Sequence, residues 1–175
     1  MALKTGSITA NGSKNHHKFT LTITENSTNQ TNNTSSITYT FTIAPVTSGY
    51  NWSQQGTNIS YTITINGTNY TGTIPSYNGT STVTLKTGTV NIAHNTDGTK
   101  TLSYSFNVTD RDGLSYTCGA ASKSGTLALT AITPQGLVYI DNGSSWDAYQ
   151  VYIDNGSSWD RYIPYIDNGS SWDMY

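Results

Sequence analysis

Charged residues are scarce in this chain of 175 residues. Lysine, arginine, aspartate and glutamate together make up only 10% of it, and the formal net charge is −2. Without a basic surplus, the chain has no electrostatic basis for binding nucleic acid. No apolar run approaches 18 residues, so no membrane-spanning segment is predicted. The start of the chain, residues 1–6, also lacks the apolar core of a secretory signal peptide. We therefore expect a protein with no signal peptide that binds neither nucleic acid nor membranes.

The residues that usually carry catalysis and metal binding are equally rare. Cys118 is the single cysteine, so no intrachain disulfide can form, and it is better explained as a small apolar residue than as a nucleophile. Glu25 is the single glutamate, whereas a glycosidase normally uses two carboxylates that flank the scissile bond. His16, His17 and His94 have no metal-ligand spacing. We expect no enzyme, no cofactor and no metal.

Hydroxyl and amide residues alternate with apolar ones along much of the chain. Period-two alternation is the signature of a strand with one buried face and one wet face, the wet face here being rich in threonine. The first such strand is predicted within residues 6–25. The positions predicted to face inward are His17, Phe19, Leu21, Ile23, Ile37, Tyr39, Phe41, Ile43, Ile59, Tyr61, Ile63, Ile65, Leu102, Tyr104, Phe106 and Val108. About eight strands without helical periodicity predict an all-β fold, an antiparallel β-sandwich of the immunoglobulin-like or jelly-roll type, over residues 1–133.

Turn residues separate these strands. Asn66-Gly67 predicts a tight hairpin, because a type I′ turn needs positive φ at both central residues. Residues 75–79, Pro-Ser-Tyr-Asn-Gly, are predicted to form a turn. Along residues 81–92 the apolar positions change parity, which predicts a β-bulge at Gly88.

The C-terminal region, residues 137–175, contains one nine-residue phrase three times. Tyr-Ile-Asp-Asn-Gly-Ser-Ser-Trp-Asp begins at Tyr139, Tyr152 and Tyr165, with a period of 13 residues. With Asn-Gly at the tip, each phrase predicts a β-hairpin in which the tyrosine pairs directly with the tryptophan, as Tyr139 would with Trp146. One hairpin is marginal alone, so the three should pack together, either as a bent sheet or around a pseudo-threefold axis.

Two roles are open for the tryptophans of these repeats. They could form the core of a small module that has little else to bury, or they could be repeated aromatic platforms for a ligand such as a sugar. The Asp-Asn-Gly-Ser segments are explained by turn chemistry, because they lack the spaced ligands and closing glutamate of a calcium loop. Tyr50, Trp52 and Tyr77 are further candidates for sugar contact, although Trp52 could equally cap the sandwich core.

Several stretches carry a family resemblance. The segments are "HKFTLTITENSTNQTNNTSSITYTFTI", "INGTNYTGTIP", "STVTLKTGTVNIAHNTDGTKTLSYSFNV" and "SGTLALTAI", with an HN-x-DG-x-K turn over residues 94–100. Together they resemble a family of siphovirus tail proteins of unknown function, and the "YIDNGSSWDxY" units resemble short aromatic repeats of phage tail proteins. The resemblance implies a virion component of a phage tail, made in the bacterial cytoplasm, that touches the bacterial surface. It brings no catalytic residues with it.

The resulting functional hypothesis is non-catalytic adhesion to a bacterial surface polysaccharide. The alternative is a structural module that contacts other virion tail proteins or forms a homo-oligomer such as a trimer. The residues expected to contact the ligand are Tyr50, Trp52, Tyr139, Trp146, Tyr152, Trp159, Tyr165 and Trp172.

Overall fold

A computed structural model of the chain describes residues 2–48, 52–54, 59–110, 117–133, 137–141, 143–154, 156–162, 165–167 and 172–174. All regular secondary structure in these ranges is β-strand. The strands within the first 133 residues are β1 (Thr5–Asn11), β2 (His17–Asn29), β3 (Thr34–Pro45), β4 (Trp52–Gln54), β5 (Ile59–Ile65), β6 (Thr68–Ile74), β7 (Tyr77–Gly79), β8 (Val83–Ala93), β9 (Thr101–Val108) and β10 (Ala121–Ala128). The strands of the repeats are β11 (Leu137–Asp141), β12 (Trp146–Gln150), β13 (Tyr152–Asp154), β14 (Trp159–Arg161), β15 (Tyr165–Asp167) and β16 (Trp172–Met174).

Two four-stranded antiparallel sheets form the sandwich. Sheet 1 has the order β1-β2-β3-β8, and sheet 2 has the order β10-β9-β5-β6. Apart from β1, strands β2, β3 and β8 match strands A, B and E of an immunoglobulin-like sandwich, and β5, β6, β9 and β10 match C, C′, F and G. The predicted all-β sandwich is therefore confirmed, and its strand order is that of the immunoglobulin-like alternative.

Aromatic rings from both sheets meet at the centre of the core. Phe41 of sheet 1 lies 5.1 Å from Phe106 and 5.2 Å from Tyr61 of sheet 2, measured between ring centroids, and 5.9 Å from Phe19 beside it. Such spacings fall in the favourable range for aromatic pairs. All sixteen positions predicted to face inward are buried, which follows from strict alternation along strands that each have one face in the core.

Two predicted features of the strands are wrong in detail. The strand expected within residues 6–25 is two strands, β1 and β2, separated by a tight turn in which the Asn15 amide donates to the Gly12 carbonyl over 2.7 Å. The bulge in β8 is not at Gly88. The register shifts where Phe41 pairs with Lys86 but Thr42 pairs with Thr84. Gly88 has another role, because a Cβ there would come within 2.5 Å of the Tyr39 hydroxyl.

The outer face of sheet 1 carries a regular array of hydroxyl side chains. Cross-strand pairing places them in three rows of four, which are Thr5/Thr24/Thr38/Thr89, Ser7/Thr22/Thr40/Thr87 and Thr9/Thr20/Thr42/Thr84. Neighbours within the rows hydrogen-bond through their hydroxyls, for example Thr9 with Thr20 at 3.0 Å and Thr38 with Thr89 at 3.2 Å. The predicted threonine-rich wet face is thus present on this sheet.

Candidate binding surface on the tandem repeats

The three repeats form three two-stranded antiparallel pairs, β11–β12, β13–β14 and β15–β16, with one shared register. In the first, Asp141 pairs with Trp146 and Tyr139 pairs with Ala148, so four residues connect the strands. The equivalent pairs are Asp154 with Trp159 and Asp167 with Trp172. The predicted two-residue turn and the direct Tyr139–Trp146 pair are therefore wrong. Tyrosine and tryptophan instead occupy diagonal positions on the same face of each pair.

The first aspartate of the phrase explains the longer connection in the first and second repeats. Asp141 Oδ1 accepts a hydrogen bond from the Gly143 amide at 2.8 Å, and Asp154 Oδ1 does the same with Gly156 at 2.8 Å. An aspartate that binds the backbone two residues ahead forms an Asx turn, which competes with the strand ladder. Gly143 and Gly156 have φ of 88° and 87°, a left-handed conformation that glycine adopts without strain.

The Asn66-Gly67 hairpin of the sandwich shows the contrast. There Ile65 pairs with Thr68 across a two-residue turn, and both central residues have positive φ, 48° and 84°, as predicted. The flanking residue in that hairpin is the buried Ile65, which has no side-chain acceptor and is held in register by the core. The same Asn-Gly pair therefore forms different turns because the preceding residue differs.

The second aspartate and the second serine complete the tip of the first and second repeats. Ser145 Oγ donates to Asp147 Oδ1 at 3.3 Å, and Ser158 Oγ donates to Asp160 Oδ1 at 3.1 Å. The polar residues of the phrase thus take part in shaping the turn in both repeats. Within the described ranges, no group of three or more His, Cys, Asp or Glu residues is placed to hold a metal ion.

The aromatic residues of the second repeat are exposed. Trp159 has 69% of its surface accessible and Tyr152 has 53%, and their register places both on one face of β13–β14. Ile153 and Tyr162, which are 49% and 44% exposed, take the other face by alternation. Trp159 is therefore not the core of a small module, which was one of the two roles open from the sequence. An indole left this exposed is available to a partner.

The remaining candidate residues are described less completely. For Tyr139, Trp146, Tyr165 and Trp172 the strand register above is what the structure describes, and it repeats that of Tyr152 and Trp159 in all three pairs. Tyr50 lies outside the described residues.

Trp52 and Tyr77 occupy positions in the two strands of a small ribbon. Trp52 lies in β4 and pairs with Gly79 of β7, while Gln54 pairs with Tyr77. The two aromatic positions are two residues apart in register and therefore share a face of the ribbon. The expected turn over residues 75–79 is wrong, because residues 77–79 form strand β7. This pairing of segments 25 residues apart has no local sequence signal.

A buried polar cluster at one end of the sandwich was also not predicted. Ser35 Oγ donates to Glu25 Oε1 at 2.7 Å and lies 2.8 Å from His94 Nε2, while His94 Nδ1 donates to the Gly98 carbonyl at 2.8 Å. Thr130 donates to the same carboxylate through its hydroxyl at 2.6 Å and its amide at 3.2 Å. The cluster joins β2, the start of β3 and the segments that directly follow β8 and β10.

The geometry of this cluster differs from that of a catalytic triad. In a catalytic triad the histidine lies between the hydroxyl and the carboxylate, whereas here the hydroxyl of Ser35 lies between His94 and Glu25. Ser35 and Glu25 are also 0% and 2% exposed, so no substrate can reach the hydroxyl. Burial tends to raise the pKa of Glu25, but the hydrogen bonds from Thr130, Ser35 and the Lys4 amide outweigh it and hold that pKa below its usual value.

A concave site in the sandwich lacks an exposed aromatic side chain on which a sugar ring could stack. A shallow depression of about 300 Å³ lies on the outer face of sheet 2 and is lined mainly by small hydroxyl residues, among them Ser103, Ser105 and Ser124. Tyr104, which also borders it, is only 4% exposed. The large exposed aromatic side chains of the described residues lie in the repeats instead.

Comparison with known proteins identifies the chain at the level of a family. The family model described as "Siphovirus protein of unknown function (DUF859)" matches residues 9–159, from β1 of the sandwich to the tryptophan of the second repeat. Neither a curated protein nor a solved structure shows significant similarity to the chain. Across the described ranges, no helix has the length and apolar character needed to cross a membrane. Because the match covers well over half of its length, the chain belongs to this family of siphovirus proteins of unknown function.

Proposed function

We propose that this siphovirus protein is a non-catalytic, tail-associated virion component that adheres to carbohydrate on the bacterial surface through its tandem repeats. The observation that carries the proposal is the exposure of Trp159 and Tyr152 on one face of a hairpin whose polar residues already hold the turn. Aromatic faces stack on the C–H faces of sugar rings, and three copies of one phrase suit a polymer that repeats its own chemistry.

Repetition would also strengthen weak contacts. A single exposed aromatic pair contributes on the order of 1 kcal/mol to the free energy of binding. One repeat alone would therefore bind a sugar with low affinity. Three linked sites act together, because after the first has bound the others meet the polymer at a high effective concentration. In this proposal the immunoglobulin-like sandwich carries the repeats.

The test compares two triple variants of the full chain. W146A/W159A/W172A removes the indole from every repeat, and I140T/I153T/I166T removes the isoleucine, which the register places on the opposite face. Binding to purified cell walls and to arrayed bacterial polysaccharides should fall by about tenfold or more in the tryptophan variant. The isoleucine variant should bind like the wild type.

The same variants test the structural alternative. If the tryptophans instead mediate association between copies, sedimentation will show that their loss changes the oligomeric state while the wild type binds no glycan. Absence of wild-type binding to the walls and polysaccharides of diverse bacteria would remove the adhesion proposal and leave an architectural role.

A further inference from the structure

Charge is divided unequally between the two parts of the chain. Residues 1–133 contain seven basic and four acidic residues, a net charge of +3. Residues 137–175 contain six aspartates and one arginine, a net charge of −5. The exposed aromatic surface of this protein therefore lies in a strongly acidic segment, and this favours some ligands and disfavours others.

The register distributes the six aspartates between the two faces of the hairpins. Asp141, Asp154 and Asp167 each pair directly with the tryptophan of their repeat. Each of them therefore lies on the face that also carries the tyrosine. Asp147, Asp160 and Asp173 pair with the isoleucines, on the opposite face. Every repeat thus combines a carboxylate, an indole and a phenol at neighbouring positions of one face.

We infer that the repeats recognise protonated amino groups on the surface polymer, so that their ligand is an amine-bearing glycan. This inference rests on the proposed function and specifies its ligand class. An ammonium group is attracted to the face of a tryptophan or tyrosine ring, and a carboxylate beside the ring supplies the opposite charge. Charge complementarity argues the same way, since a segment of net charge −5 repels polyanions such as polymers of glycerol phosphate.

In the first two repeats the first aspartate receives its turn hydrogen bond from an uncharged donor. Asp141 and Asp154 are exposed, and each accepts an uncharged glycine amide at 2.8 Å. A side-chain amide can accept the same hydrogen bond, so replacing aspartate by asparagine keeps the Asx turn and removes only the charge. Asparagine variants therefore test the charge of these aspartates separately from the turn.

The repeats also differ from one another at one informative position. The residue that pairs with the tyrosine is Ala148 in the first repeat, Arg161 in the second and Met174 in the third. Arginine at this register position gives the second repeat a positive charge that the other two repeats lack, and like charge opposes an incoming ammonium group. The second repeat is therefore the weakest of the three sites for an amine, and replacing Arg161 by alanine should strengthen binding.

The experiment uses the full chain and two forms of the same cell walls. One form is untreated, and the other has been N-acetylated so that every free amine becomes a neutral amide. A glucosamine oligosaccharide and its N-acetylated counterpart serve as the defined probes, at a mildly acidic pH that keeps the sugar amine protonated. We expect the wild type to bind each amine form about tenfold more tightly than its acetylated form, a preference that shrinks as salt is added.

Two matched variants assign the effect to one face. D141N/D154N/D167N should lose the preference for the amine, giving a ratio near one, whereas D147N/D160N/D173N should keep it. Both variants raise the net charge by the same amount, so a difference between them cannot come from the overall field. R161A should increase the preference, and A148R should reduce it.

The outcomes separate this inference from the function it rests on. Equal binding to the amine and acetylated forms by the wild type, or equal loss in both aspartate variants, would overturn the inference while adhesion through the tryptophans stands. Tighter binding to poly(glycerol phosphate) than to the amine probe would overturn it as well. If the wild type binds neither form of the walls nor either oligosaccharide, the proposed function itself fails.

Discussion

Replacing Glu25 by alanine removes the shared acceptor of the buried cluster at the end of the sandwich. Its carboxylate receives hydrogen bonds from the hydroxyls of Ser35 and Thr130 and from the amides of Thr130 and Lys4. Two of these donors retain a second contact, because Ser35 Oγ also lies 2.8 Å from His94 Nε2, and Thr130 Oγ1 also donates to the Ala2 carbonyl. The amide of Thr130 loses both carboxylate oxygens and is left buried.

The expected loss follows from these contacts. An orphaned buried amide costs about 1–3 kcal/mol, and each lost hydrogen bond to a charged group costs about 1 kcal/mol or more. We therefore expect the free energy of unfolding to fall by roughly 3–4 kcal/mol in E25A, which lowers the melting temperature by roughly 10 °C. E25Q keeps one acceptor oxygen and nearly the same volume, so about half of that loss is expected.

Urea denaturation followed by circular dichroism, together with thermal melts, measures both variants. D97N is the control at the same end of the sandwich, because Asp97 is exposed and its side chain accepts hydrogen bonds from the amide and the hydroxyl of Thr99, which asparagine can also accept. It should change the stability by less than about 0.5 kcal/mol. A loss below about 1 kcal/mol in E25A would refute the view that this carboxylate holds the segments around Lys4, Ser35 and Thr130 together.

The pH dependence gives a second readout of Glu25. Its pKa in the folded protein lies below its ordinary value of 4.5, because hydrogen bonds to the carboxylate outweigh burial. A depressed folded pKa means that the contribution to stability is complete above the unfolded pKa and is lost as the pH falls through the folded value. The wild type should therefore lose stability below about pH 4.5, and E25Q should lose less over the same interval.

Two further predictions concern buried titratable groups of the sandwich. Burial, aided by the neighbouring His16, lowers the pKa of His17 from 6.5 to about 4. The stabilising contribution of His17 is therefore complete above pH 6.5 and is lost as the pH falls from 6.5 towards 4. The free energy of unfolding of H17F should depend less on pH over that interval, and an unchanged pH dependence would contradict the assignment. Burial raises the pKa of the Cys118 thiol to about 11, so iodoacetamide should alkylate it in the native protein at least about tenfold more slowly than in urea, and equal rates would show that the site opens readily.

The alternation of apolar residues with threonine was sufficient to predict the core of the sandwich. Phe19, Phe41 and Phe106 face inward because side chains on a strand alternate strictly and only one face of each sheet is dry. The turn at Asn66-Gly67 was equally predictable, since its positive φ angles are a local property of those two residues. Such features depend on neighbours in the chain, which a sequence displays directly.

The register of the repeats could not be read in the same way. Asn-Gly predicted a two-residue turn, but Asp141 binds the Gly143 amide and lengthens the connection, so aspartate rather than tyrosine pairs with Trp146. Two competing local hydrogen-bond patterns differ by little free energy, and none of the repeat side chains whose burial the structure describes is buried and able to choose between them as Ile65 does in the sandwich. The pairing of aspartate with tryptophan follows from the register, which the sequence alone does not give.

Local sequence therefore set the strands, their buried faces and the presence of three equivalent aromatic phrases. Contacts between distant segments set the rest: the immunoglobulin-like order of the strands, the ribbon that joins the strand of Trp52 to the strand of Tyr77, and the assembly of Glu25, Ser35 and His94 from three separate segments. The physical reason is that alternation and turn propensity act over a few residues, whereas a buried carboxylate is stable only where the fold brings enough donors to satisfy it.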